Sequence, residues 1–183
     1  MKTTFAIVSL AALVLGACEE KPKPAATKPP APNATSPGAV GVATLPVGLF
    51  LAAEPAGAKP LEELKKTAKA GESVTLRGRI GGIEDPFVAG RAVFTVMGPG
   101  IKACSDNPDD HCKTPWDYCC EPLEELKVGT ANVEFREAGK IVRSSMKGFH
   151  GLDHLKEVVV VGKPEKDAAG NVTVVAKGVY VKG

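Results

Sequence analysis

Aromatic residues are scarce in this chain: one tryptophan, two tyrosines and six phenylalanines amount to 5% of its 183 residues. Stacking platforms for single-stranded nucleic acid are therefore short of material. Charge of one sign is lacking as well. Lys plus Arg number 23 against 21 Asp plus Glu, for a formal net charge of +2. No basic stripe gathers the field that phosphate backbones require, so nucleic acid is a poor candidate partner on both counts. Long hydrophobic runs are missing too. The longest, Phe5 to Leu15, is interrupted by Ser9 and falls short of the roughly 20 residues a spanning helix needs. There is no Gly-x-Ser-x-Gly elbow, no Walker loop and no dinucleotide fingerprint. Acidic residues are scattered rather than paired for acid–base work. The reading is a binding protein rather than an enzyme, with no cofactor implied.

What is present begins with an address. Met1 and Lys2 give a short charged start, Phe5 to Leu15 follows as an apolar stretch, and small residues lead to Cys18. This is the charge–apolar–small layout of a secretory signal. Leu15-Gly16-Ala17-Cys18 resembles the bacterial lipobox. The resemblance implies cleavage before Cys18, a diacylglyceryl thioether on its sulfur, and usually a third acyl chain on its amine. Each buried methylene contributes about 0.8 kcal/mol, and two or three chains anchor a protein where one does so only marginally. The expected partner is thus a lipid bilayer, reached through acylated Cys18. Glu19 occupies the position where an Asp would favour the inner membrane, so the expected location is the outer membrane, facing the periplasm.

Residues 1–17 read as the signal peptide. Residues 18–45 read as lipidated Cys18 and a tether rich in Pro and Ala, with Pro22, Pro24, Pro29, Pro30, Pro32 and Pro37. The tether lacks the apolar side chains that offset ordering entropy and tends to be extended, which gives the domain reach from the bilayer. Residues 46–183 read as one domain.

Within that domain, Pro60 to Gly71 predicts a short helix. It has a proline near its start, acids in the first turn, bases near the end, and Leu61, Leu64 and Ala68 on one face. From Ser73 the period becomes two: Val74, Leu76 and Ile80 alternate with Thr75, Arg77 and Arg79. Further strands are predicted over 91–97 and 132–137. Ala138-Gly139-Lys140 forms a hairpin turn into a short extra strand, 141–145. Pro122 to Lys127 has room for one or two helical turns, and Gly148 to Lys156 predicts a short helix carrying His150 and His154 on a shared face. Val158 to Val161 predicts a strand buried on both sides, and 172–181 is the last strand. The fold class is mainly β. The order fits a small OB-like Greek-key barrel of five strands plus one extra short strand, with one N-terminal and one internal short helix. A small open β-sandwich is the alternative.

The unusual passage is a cysteine-rich insertion, 101–121, holding Cys104, Cys112, Cys119 and Cys120. Four cysteines in an exported domain read first as two disulfides. A bridge between adjacent cysteines is strained, which favours 104–119 with 112–120, or 104–120 with 112–119. A second reading keeps the thiols reduced around Zn²⁺ or Cu⁺, with His111 able to join Cys104, Cys112, Cys119 and Cys120. The irregular spacing counts against it, because neighbouring cysteines do not readily face one ion. A third makes Cys119 and Cys120 a redox element. Asp106, Asn107, Asp109 and Asp110 read as a solvated acidic turn.

Thr114-Pro115-Trp116-Asp117-Tyr118-Cys119-Cys120, taken with Val74 to Gly82 and the valine-rich C-terminal hairpin, resembles a family of bacterial envelope proteins with an OB-type domain, many of them lipoproteins. The resemblance covers most of residues 47–183 and brings no assigned chemistry. The expectation is an envelope-tethered, disulfide-stapled module that binds an envelope protein or an oligosaccharide. Arg77, Arg79, Trp116 and Tyr118 are the candidate contacts, by fold analogy. The alternative is a metal- or redox-handling protein built on the cysteine cluster.

Overall fold

In the computed structural model, residues 45–183 are described, apart from Val47 and Ala70. Lipidation at Cys18 and the tether up to residue 44 lie outside the described residues. Among them, no helix is long and apolar enough to cross a membrane.

The chain is mainly β. Strands β1 (Lys59–Pro60), β2 (Val74–Ile80), β3 (Val93–Met97), β4 (Thr130–Glu137), β5 (Lys140–Ile141), β6 (Glu157–Lys166) and β7 (Val172–Val181) are joined by helices α1 (Leu61–Thr67) and α2 (Leu123–Gly129). Five strands close into a barrel in the order β2-β3-β4-β7-β6, with β6 returning to β2. Every neighbouring pair is antiparallel except β4 and β7, which run parallel. Closure removes the unpaired edges that an open sheet would present.

The alternation read from β2 is real. Val74, Leu76, Gly78 and Ile80 are buried while Thr75, Arg77 and Arg79 are half-buried. Val158, Val159 and Val160 are all enclosed in β6. Leu76, Ile80, Phe94, Val133, Phe135, Val160, Val174 and their neighbours form one continuous core. Burying such side chains contributes about 1.5–3 kcal/mol each. Helix α1 lays Leu61 and Leu64 onto this core, with Glu62 and Glu63 in its first turn and Lys65 and Lys66 in its last. That arrangement complements its dipole at both ends.

Three expectations are corrected. There are two extra strands rather than one: β1 pairs parallel with β2, and the strand expected over 141–145 is only β5, paired to the end of β4. The internal helix is α2, whereas 148–156 holds a single 3₁₀ turn, Phe149–Gly151. Gly148 at φ +85° and His150 at φ +47° are left-handed, which no continuing right-handed helix accommodates. His150 and His154 consequently share no face. His150 stacks on Phe50 and His154 on Trp116.

Candidate metal centre

The cysteine loop leaves the barrel after β3 and returns through α2. It is seated at three points. At the first, Gly81 and Gly82 follow β2, and the Gly82 amide donates to the Trp116 carbonyl at 2.8 Å. A Cβ on Gly81 would meet that same carbonyl, and Gly82 sits at φ +93°, a conformation that favours glycine. At the second, Arg79 donates from Nη1 to both carboxylate oxygens of Asp106, at 2.9 and 2.7 Å, and from Nε to the Leu155 carbonyl at 3.1 Å. At the third, Trp116 donates from its indole nitrogen to the Glu84 carbonyl at 2.8 Å and stacks on His154, the ring centroids 3.9 Å apart. The loop also carries a small core of its own, in which Ala103 and Tyr118 pack with Met97.

These anchors settle what the four candidate contacts do. Arg79 is engaged at both ends by the loop and the barrel. Arg77 reaches Glu54 at 2.7 Å and Glu157 at 3.7 Å. Trp116 is committed to Glu84 and His154. Tyr118 is fully enclosed, which corrects its reading as a surface contact. Its hydroxyl has no hydrogen-bond partner among the described residues, and burial pushes the phenol up to about 12.

The loop folds its cysteines onto one another. Cys104 is buried at 3% exposure, with its sulfur 3.7 Å from that of Cys119 and 3.8 Å from that of Cys120. Cys112 and Cys119 stand 3.4 Å apart, and Cys119 and Cys120 4.0 Å apart. A disulfide is about 2.0 Å long, so no pair stands at bonding distance in this structure.

Two carboxylates join the sulfurs. Asp117 Oδ1 lies 3.9 Å from the Cys104 sulfur and 4.0 Å from that of Cys112. It accepts the Cys119 amide at 2.9 Å, while its Oδ2 accepts the Thr114 hydroxyl at 2.7 Å. Asp110 accepts the Cys112 amide at 2.7 Å and lies 3.2 Å from the Cys120 sulfur. The ligand atoms of Cys104, Cys112, Asp117 and Cys119 all fall within 4.8 Å of one another. Those of Cys104, Asp110 and Cys120 do likewise. Ligands about 2.0–2.3 Å from one tetrahedral zinc stand roughly 3.3–3.8 Å apart; Cys112–Cys119 at 3.4 Å and Cys104–Cys119 at 3.7 Å fall in that range, and the Asp117 contacts at 3.9 and 4.0 Å lie just outside it. Three thiolates and a carboxylate suit a borderline-soft cation.

Charge is tuned within the loop. Burial pushes the Asp117 carboxyl up, but the Thr114 hydroxyl and the Cys119 amide outweigh it and hold it below the ordinary range. Cys120 and the Cys112 amide do the same for Asp110. Cys119 is raised by sharing hydrogen bonds with Cys112 and Asp117, and Cys120 is raised to about 11 by Asp110. Cys112, facing the Thr114 amide, is lowered.

His111, expected as a further ligand, is exposed and belongs to neither set. Asp110 and Asp117 hold the places that sequence reasoning missed. The signal that finds them is a repeat: Asp110-His111-Cys112 and Asp117-Tyr118-Cys119. In each, the aspartate side chain closes a turn onto the amide two residues on. That turn sets a carboxylate beside a sulfur and leaves the middle residue out of the seat. No family model matches the chain, and no curated protein matches it.

Proposed function

We propose that this protein is an envelope-tethered lipoprotein whose OB-like barrel presents a thiolate-rich seat for a d¹⁰ cation, zinc foremost. The observation that carries the reading is the convergence of Cys104, Cys112, Cys119 and Asp117 at coordination spacing, with Asp117 oriented by Thr114 and the Cys119 amide. Hydrogen bonds of this kind to a ligand's own oxygens fix it before the ion arrives. Four ligands from one protein leave no open position, so the seat holds a cation rather than catalysing through it.

The barrel order, with its parallel β4–β7 closure, supports an OB-type arrangement in Greek-key form. The lipobox-like leader supports secretion and attachment through acylated Cys18, with the domain held in the periplasm beneath the outer membrane. An envelope protein exchanging metal with the seat is the fitting partner. The oligosaccharide reading is weaker, because Arg79 and Trp116 are spent inside the molecule.

Disulfide staples are the second reading. Cys112–Cys119 at 3.4 Å and Cys104–Cys120 at 3.8 Å are near enough to pair on oxidation, as an oxidising compartment favours. Cobalt titration of the reduced, acylated protein in detergent tests the metal reading. Intense thiolate-to-cobalt absorption with tetrahedral ligand-field bands, displaced by zinc, supports it. No absorption above that of free cobalt contradicts it.

A further inference from the structure

The two adjacent cysteines, their sulfurs 4.0 Å apart, fall in different ligand sets. Cys119 belongs with Cys112 and Asp117, while Cys120 belongs with Asp110. The turn between them follows Tyr118, a non-glycine residue held at φ +60° by its enclosed ring. The difficulty with neighbouring cysteines around one ion therefore does not arise, because they face different positions. Cys104 alone is common to both sets.

We infer that the loop holds two cations rather than one, bridged by the Cys104 thiolate: a closed seat of Cys104, Cys112, Asp117 and Cys119, and an open seat of Cys104, Asp110 and Cys120. The inference rests on the metal reading above and extends it. A thiolate sulfur has lone pairs enough to bind two soft cations, and the sulfur of buried Cys104 lies 3.7 Å from that of Cys119 and 3.8 Å from that of Cys120.

The open seat differs from the closed one in its surroundings. Cys104, Asp110 and Cys120 line a hollow of about 440 Å³ together with Asp106 and Glu121. Three protein ligands, of which Asp110 and Cys120 reach the surface, leave a coordination position for water or an incoming ligand, the arrangement of an exchangeable site. With a divalent cation in the closed seat, three thiolates and one carboxylate leave two negative charges in excess, which favour the second cation. Coordination balances simply. The closed seat releases the thiol protons of Cys104, Cys112 and Cys119 to solvent. The open seat releases one more, from Cys120, and the carboxylates release none.

The geometry assigns the open seat to loading and transfer, and the closed seat to retention. The test is native mass spectrometry of the full acylated protein in detergent, reduced and titrated anaerobically with zinc alone. The wild type is expected to take two ions in separate steps. Cys120→Ser and Asp110→Asn are each expected to lose the weaker ion and keep the tighter one. With cadmium-113, two resonances with mutual scalar coupling report the shared sulfur. A wild type that takes one ion, with both variants unchanged, overturns the second seat and leaves the preceding reading standing. Two ions retained by both variants, or two uncoupled cadmium resonances, overturn the assignment of its ligands. A wild type that takes no ion overturns the preceding reading itself. Circular dichroism of each variant reads its folding independently.

Discussion

Arg79 and Asp106 form a two-oxygen ion pair, at 2.9 and 2.7 Å, that ties barrel strand β2 to the 3₁₀ turn bearing Cys104. Arg79 belongs to the wet face of β2, and Asp106 lies two residues beyond Cys104. The pair thus fixes the position of the sulfur common to both ligand sets. Both side chains are about one-third exposed, so the pair contributes only about 1 kcal/mol to stability. Its larger effect is on geometry. Arg79→Ala is expected to lower the thermal midpoint slightly and to weaken zinc binding about 10-fold or more, as loss of a supporting contact does. Arg79→Lys does not restore binding, because an ammonium lacks the planar fork. Zinc competition titrations check this. Unchanged affinity in Arg79→Ala contradicts it.

Acid should release the loop before the barrel. Burial pushes the Asp106 carboxyl up, but the Arg79 side chain and the Ala103 amide outweigh it and hold it below the ordinary range. A carboxyl depressed in the folded state stabilises above its unfolded value, about pH 4, and that stability is lost as pH falls through the folded value. Fluorescence of Trp116, the single tryptophan, is expected to change below about pH 4 while the far-ultraviolet β signal persists. In Asp106→Asn that acid step is smaller, and the depressed carboxyls of Asp110 and Asp117 carry what is left of it. Simultaneous loss of both signals in the wild type contradicts the prediction.

Metal affinity should rise with pH. Cys119 and Cys120 are raised by their neighbours, so in the metal-free protein their protons compete with the cation across the neutral range. Zinc titrations between about pH 6 and 8 are expected to show tighter binding at each higher pH and proton release on binding. A pH-independent affinity runs against thiolate ligation.

Gly81→Ala should unseat the loop without opening the barrel. The added Cβ meets the Trp116 carbonyl, a backbone atom that cannot swing aside. A cost of about 1–3 kcal/mol is expected, together with loss of the Trp116–His154 stack. Indole fluorescence and thermal unfolding report the two effects separately. A variant with wild-type Trp116 emission and midpoint contradicts the seating.

Tyr118 separates ring from hydroxyl. The ring is fully enclosed, and the hydroxyl has no partner among the described residues. Tyr118→Phe is therefore expected to be neutral or slightly stabilising, because a buried unpartnered hydroxyl is removed. Tyr118→Ala is expected to cost about 3–5 kcal/mol through the cavity it leaves. Denaturant unfolding of the two variants checks the contrast. Equal losses in both contradict it.

The barrel was legible where side chains alternate. Val74, Leu76 and Ile80 placed β2, and the valine run placed β6, because burial on a strand is local in sequence. The extra strands were harder to read. β1 and β5 each hold two residues, and their pairing is set by what lies across the sheet. The helix expected over 148–156 does not form because four left-handed residues, Gly148, His150, Gly151 and Leu155, interrupt a stretch whose leucine spacing alone reads as helical. At the site, the cysteines announced themselves while their companions did not. Asp110 and Asp117 read as ordinary loop acids until the turn each closes onto the following cysteine amide is seen. Tyr118 reads as a candidate contact because the small core that encloses it joins segments far apart in sequence, and Trp116 because its stacking partner, His154, is equally remote.

The most direct test of the metal-holding account is the metal content and thiol state of the protein taken from its native membrane. Extraction without chelator or reductant, with mass measurement after alkylation, gives both on one sample. The account predicts bound zinc in stoichiometric amount, and four cysteines that alkylate only once the metal is stripped. Two disulfides with no bound metal would contradict it.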